Sequence, residues 1–200
     1  MQRVLKELPE TLDGTYERIL HEIPKANRVH AHRLLHCLAV AVRPLRVQEL
    51  AEVLAVDFDS DGGMPKLNED WRWEDQEKAL LTACSSLITV VDSRDYRVVQ
   101  FSHFSVKEFL TSHRLAESTV NTSSYGHIRL ESAHAIMAQA CISVLLRLEY
   151  PVNNEKIKRL PLADYAAKHF ADHAEFGDVI SGITDGIDHL LDEDKPHFAA

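Results

Sequence analysis

The sequence predicts a mainly α-helical protein: a winged helix of three or four helices plus a two-stranded β-wing, followed by an α-helical bundle or linker. Three observations carry this. The segment Val98–Leu110, VVQFSHFSVKEFL, runs from β-formers straight into helical spacing, with His103 at the junction. Upstream of it, Leu87–Val91 (LITVV) is a second apolar strand, joined to Tyr96–Phe101 through the polar turn Asp92-Ser-Arg-Asp95. Most of the remaining chain has helical periodicity, with only seven Gly and seven Pro in 200 residues.

The elements follow in order. Leu12–Ile23 spaces Leu12, Tyr16, Ile19, Leu20 and Ile23 along one helical side, and Pro24 ends it. A second helix over about 26–42 carries Val29, Leu34, Leu35, Leu38 and Val42 as apolar positions. Arg43-Pro-Leu-Arg46 is a tight break. A short third helix, Val47–Leu54, presents Leu50, Val53 and Leu54. From Asp57 to Lys78 there are eight acids and three bases, a local charge of −5, with Gly62, Gly63 and Pro65 marking an exposed loop. A fourth helix over about 74–85 turns Ala79, Leu80, Ala83 and Cys84 inward. Helix, helix, helix, strand, turn, strand, helix is the order of a winged helix.

Beyond the polar stretch 117–126 the pattern is wholly helical. A long helix is expected over about 129–148, a linker or short helix between Pro151 and Pro161, then helices over about 162–176 and 178–191. No internal repeat is visible. The organisation expected is an N-terminal helix (1–24), a winged helix (25–116) and a helical linker (117–200).

Composition narrows the function. A net charge of −9 disfavours nucleic acid and anionic membrane as partners, both of which need a basic surface. The fourth helix holds one Lys against Glu74, Asp75 and Glu77, and the wing sets Arg94 and Arg97 against Asp92 and Asp95. Neither resembles a groove-reading surface. Cys37, Cys84 and Cys141 are far apart in apolar contexts, so free buried thiols in a reducing, cytoplasmic setting are expected. The start MQRVLKELPE lacks the apolar core of a secretory signal.

Three metal-like patterns fail on spacing. Asp57, Asp59, Asp61 and Gly62 mimic the opening of a calcium loop, but Pro65 and Asn68 stand at its ninth and twelfth positions. His32/His36 and His169/His173 are HxxxH pairs without two further ligands at suitable spacing. Trp71 and Trp73 are expected to anchor the acidic loop.

His103 is the candidate functional residue. A histidine at a helix start sits beside the positive end of the helix dipole, where phosphate binds readily. Taken together, LPETLDGTYERIL (Leu8–Leu20), VRPLRVQELAEVLAV (Val42–Val56), SSLITVV (Ser85–Val91), VVQFSHFSVKEFL and LADYAAKHFADHA (Leu162–Ala174) resemble the region following the NACHT NTPase in fungal signalling proteins. That region is a GPI-inositol-deacylase-type winged helix with a helical linker leading into ankyrin or other repeats. Departures are Phe170, where Trp is common, and Gly14, which costs about 1 kcal/mol of helix propensity relative to Ala.

The resemblance implies a non-catalytic regulatory module and part of a larger switch protein. Its partners would be the adjacent NACHT NTPase, C-terminal repeats and other proteins. It implies no cofactor on this chain, with ATP or ADP held by the NTPase. It implies that His103 senses the nucleotide phosphate, and that Leu87, Phe101, Phe104, Phe109 and Leu110 form the core transmitting the motion. The family name belongs to a lipid deacylase, yet the chain has neither a GxSxG nucleophile elbow nor a GxxxxGK[ST] phosphate loop. A helical scaffold for protein partners and a DNA-binding winged helix are the alternatives.

Overall fold

In the computed structural model, the described residues are 12–60, 64–93, 95–112, 127–148 and 151–195. Helix α1 covers Leu12–Glu22 and, after a single 3-10 turn, α2 covers Arg28–Val40. Strand β1 (Leu45–Arg46) leads into α3 (Val47–Glu52). Strands β2 (Val56–Asp57) and β3 (Lys66–Leu67) precede α4 (Gln76–Cys84). The wing is β4 (Ile88–Ser93) and β5 (Tyr96–Phe101), followed by α5 (Phe104–Thr111). The C-terminal half holds α6 (Leu130–Leu145), α7 (Asn154–Arg159), α8 (Ala163–Ala174) and α9 (Thr184–Leu190). The chain is mainly α, a winged helix with a helical region, as its periodicities indicate.

Two corrections concern the sheets. The wing is not two-stranded alone: β1 adds to its far edge, giving the antiparallel order β1-β5-β4 with Leu45 opposite Val99 and Val90 opposite Val99 on the other side. Two residues are too few to leave a strand period, which is why Arg43–Arg46 reads as a break. The acidic segment is likewise not simply a loop. Strands β2 and β3 pair, burying Val56 opposite Leu67, Pro65 is buried beside them, and the Asn68 amide donates to the Ala55 carbonyl at 2.8 Å.

One contiguous apolar core runs from Tyr16 and Leu20 of α1 through Leu34 and Leu35, Leu50, Leu80, Leu87 and Leu110 to Met137, Cys141, Leu162 and Tyr165. Helix α2 packs on α6, and α6 on α8, so the winged helix and the helical region share their interior. The expected boundary at 116/117 lies outside the described residues, as do Asp61, Gly62, Gly63 and Arg94. A small second cluster, Ala138, Ile142, Ala174, Val179 and Ile183, docks the last helical segment on α6. That segment is broken: a 3-10 turn over Val179–Gly182 precedes α9.

Several apolar positions do not go inside. Leu12, Val29 and Val42 are about half exposed. Phe104 is 70% exposed and is not part of the core, whereas Leu87, Phe109 and Leu110 are buried and Phe101 packs half-buried against them. The reason is where α5 starts. Phe104 is its first residue, and Val106, Phe109 and Leu110 already fill the inward face. Cys37, Cys84 and Cys141 are free and buried. Burial pushes the Cys37 and Cys84 thiols up to about 12 and raises Cys141 as well. No helix among the described residues is long and apolar enough to cross a membrane.

Candidate functional site

The junction between β5 and α5 is fixed from below. The Ser102 amide donates to the Leu87 carbonyl at 3.0 Å, holding the end of β5 against the start of β4. His103 follows in extended backbone (φ −151°, ψ 148°) and is itself the N-cap of α5, with the Ser105 amide donating to its Nδ1 at 3.3 Å. Neither Ser102 nor Ser105 supplies the cap. Ser105 instead bridges: its hydroxyl lies 2.6 Å from His103 Nδ1 and 2.8 Å from the Tyr16 hydroxyl of α1.

The direction of this relay follows from its fixed donor. A backbone N–H can only donate, so Nδ1 accepts and the neutral ring carries its proton on Nε2. Tyr16 can then donate to Ser105, and Ser105 to Nδ1. The Nε2–H is left as the outward donor of an exposed imidazole. The Phe104 ring stands 4.3 Å from the His103 ring, so the junction presents an imidazole donor beside an exposed aromatic. Tyr16 also packs on Phe109, ring centroids 5.5 Å apart, which couples the relay to the buried floor.

A second set of polar residues ties the winged helix to the helical region. Helix α3 buries two carboxylates. Glu49 receives both guanidinium ends of Arg43 at 2.7 and 2.8 Å and the Arg46 amide at 2.8 Å. The Glu52 side chain, 0% exposed, receives Arg72 at 2.5 and 3.1 Å. Burial pushes the Glu52 carboxyl above its ordinary value, and the Arg72 guanidinium pulls against that. Arg72 also donates to Glu69 at 2.8 Å and to the Arg159 carbonyl at 2.9 Å, while Arg147 reaches Glu69 at 3.1 Å. The acidic segment is therefore held by Arg72. Trp71 and Trp73, expected as its anchors, are each about half exposed.

A buried chain of hydrogen bonds runs parallel to this. The Val42 amide donates to the Tyr165 hydroxyl at 3.1 Å, leaving the phenolic proton for His173 Nε2 at 2.9 Å. His173 Nδ1 then faces His134 Nδ1 at 3.0 Å, and His134 stacks on Phe176 at 3.9 Å. Burial, then the neighbouring His134, lowers His173 to about 4. His36 is lowered to about 4 by burial and then by His32; its Nδ1 donates to the His32 carbonyl at 2.8 Å. His169 pairs with Asp172 at 3.0 Å. Among the described residues no group of three His, Cys, Asp or Glu could hold a metal ion.

Tyr16, Ser105, Glu49, Glu52 and Arg72 are the functional side chains that reading the sequence missed. Only Glu49 left a signal: an acid at the third position of a short helix, placed to reach back to the residue before it.

Residues 17–121 match the GPI inositol-deacylase, winged helix domain family, more than half of the chain. The chain belongs to that family. The match takes in the last six residues of α1, all of α2 through α5 and strands β4 and β5, including the His103 junction. The azaphilone pigments biosynthesis cluster protein L of Monascus ruber is 32% identical over 176 residues, covering 84% of this chain and 36% of that relative. The chain thus spans little more than a third of the relative's length. No solved structure matches it.

Proposed function

We propose that this chain is a non-catalytic regulatory and interaction module of a NACHT-type signal-transduction NTPase, acting in the cytoplasm. It would couple the nucleotide state of an adjacent NTPase domain to rearrangement of the whole protein, with repeats following it. The observation that carries this is the His103 junction, where Nδ1 is occupied by α5 and Ser105 while Nε2–H is free to donate outward. An imidazole N–H given to an ADP phosphate stabilises the closed, nucleotide-bound state. Its loss frees the winged helix to turn. ADP belongs to the adjacent domain; this chain's residues only aim the donor.

The shared core and the contacts that cross it support motion of the winged helix and helical region as one rigid body, because a hinge between them would break the Arg72 bond to the Arg159 carbonyl and the Arg147–Glu69 pair. Absence of GxSxG and GxxxxGK[ST] motifs supports a role without catalysis of its own. DNA is disfavoured as a partner, since Arg97 of the wing is paired with Glu77 and Asp92. Hydrogen exchange on the full-length protein tests the reading. Amides 101–106 should be protected with ADP and exchange faster with a non-hydrolysable ATP analogue. Equal exchange in both states contradicts it.

A further inference from the structure

We propose that the cleft between the first turn of α2 and α4 is a docking site for a partner segment carrying an arginine or lysine flanked by apolar residues. This goes beyond the nucleotide-coupling reading and involves neither His103 nor its partners Ser105 and Tyr16. The cleft has a volume of about 530 Å³ and is walled by Asn27, His30, Trp73, Ala79, Thr82 and Ala83. Its walls are mostly apolar, and Trp73 stands 51% exposed among them; Val29 and Leu81, the chain neighbours of the lining residues His30 and Thr82, are exposed as well.

Charge decides what fits. Glu74 and Asp75 stand at the mouth, both exposed, and neither is in an ion pair among the described residues. Asp75 Oδ1 caps α4 by accepting from the Lys78 amide at 3.0 Å, so the first turn of the helix offers less to an anion. Of the two cations at the cleft, Arg72 is committed to Glu52 and Glu69, leaving Lys78 against two carboxylates. The surrounding stretch 57–78 carries −5. An anionic or nucleic-acid partner is repelled and a cationic one drawn in.

One wall group suits a cation directly. The exposed Trp73 indole offers a π face for a guanidinium or ammonium. His30, which also lines the cleft, is held toward its neutral form by burial, then by Arg33, so it adds no positive charge there. Together these match a basic residue with an apolar neighbour against the Trp73 wall, on the helix that most winged helices turn toward DNA.

The test is fluorescence anisotropy with the full chain and three labelled synthetic peptides of equal length: alternating Arg and Leu, alternating Arg and Ser, and alternating Glu and Leu. The Arg–Leu peptide should bind saturably, and the other two should bind about tenfold more weakly or worse. Trp73→Ala and Glu74→Lys should each weaken Arg–Leu binding by about tenfold, whereas Glu175→Lys, outside the cleft but with the same charge change, should alter it by less than about twofold. Circular dichroism confirms that each variant is folded, and both cleft variants change exposed side chains. The proposal is overturned if Arg–Leu does not saturate, or if Glu175→Lys weakens it as much as Glu74→Lys, which would mean general charge attraction. It is also overturned if Glu–Leu binds equally well, or if a DNA duplex binds in place of the Arg–Leu peptide.

Discussion

Replacing Arg72 with alanine should cost about 3–5 kcal/mol of folding stability, the usual penalty for leaving a buried charge without its partner. The structure explains why this arginine falls in that class while Arg18, in an exposed pair with Glu22, should fall under about 1 kcal/mol. The Glu52 side chain has no solvent access, and Arg72 supplies both of its hydrogen bonds, at 2.5 and 3.1 Å. The same guanidinium reaches Glu69 and the Arg159 carbonyl, so its loss loosens the acidic segment and its attachment to α7 together. Urea denaturation followed by circular dichroism measures the effect. The partner variant sharpens it: Arg72→Met combined with Glu52→Met removes both charges and should recover most of the lost stability, because a paired apolar replacement often matches a buried ion pair. The reasoning is refuted if Arg72→Ala loses less than about 1 kcal/mol, or if the double variant is no better than the single one.

Three further outcomes are expected. Leu110→Ala, at a fully buried position, should lose about 2–5 kcal/mol, whereas Phe104→Ala should stay within about 0.5 kcal/mol; comparing their urea midpoints checks that Phe104 lies outside the core. His36 and His173 are both lowered from 6.5 to about 4, so between those values the unfolded chain binds more protons than the folded one. Stability should be full above about pH 6.5 and fall as pH drops toward 4, and thermal melts at stepped pH should show a shallower fall for His173→Gln than for the parent. A thiol reagent at pH 8 should leave Cys37, Cys84 and Cys141 unmodified in the native protein and label all three in urea, since burial holds each thiol protonated and out of reach.

What could be read from the sequence depended on the length over which a pattern repeats. Helix α1, the β4–β5 hairpin and α5 each span six or more residues of consistent period, and they lie close to where that period puts them. Strand β1 and the β2–β3 pair have two residues per strand, so only the tertiary contacts of Leu45, Val56 and Leu67 reveal them. His103 was legible as a junction residue because a strand ends and a helix begins around it. Its ring caps α5 through the Ser105 amide two residues on, but the bridge from Ser105 to Tyr16 spans 89 positions of the chain. Glu49 and Glu52 look like the polar face of a short helix. Their burial follows from Arg43 and Arg72, six and twenty residues distant, and no local pattern announces such pairs. The Tyr165–His173 contact is similar: two helical turns apart, it matters because the Val42 amide arrives from the other half of the core.

The central claim is that His103 senses nucleotide through its Nε2–H, and ADP affinity tests it most directly. In the full-length protein with its NTPase domain, His103→Ala should weaken ADP binding by about 10- to 100-fold by calorimetry, the worth of one hydrogen bond to a charged group. Ser105→Ala, which leaves the donor in place but unbuttressed, should have a smaller effect in the same direction. ADP affinity unchanged in His103→Ala would contradict the account and leave His103 as no more than the cap of α5.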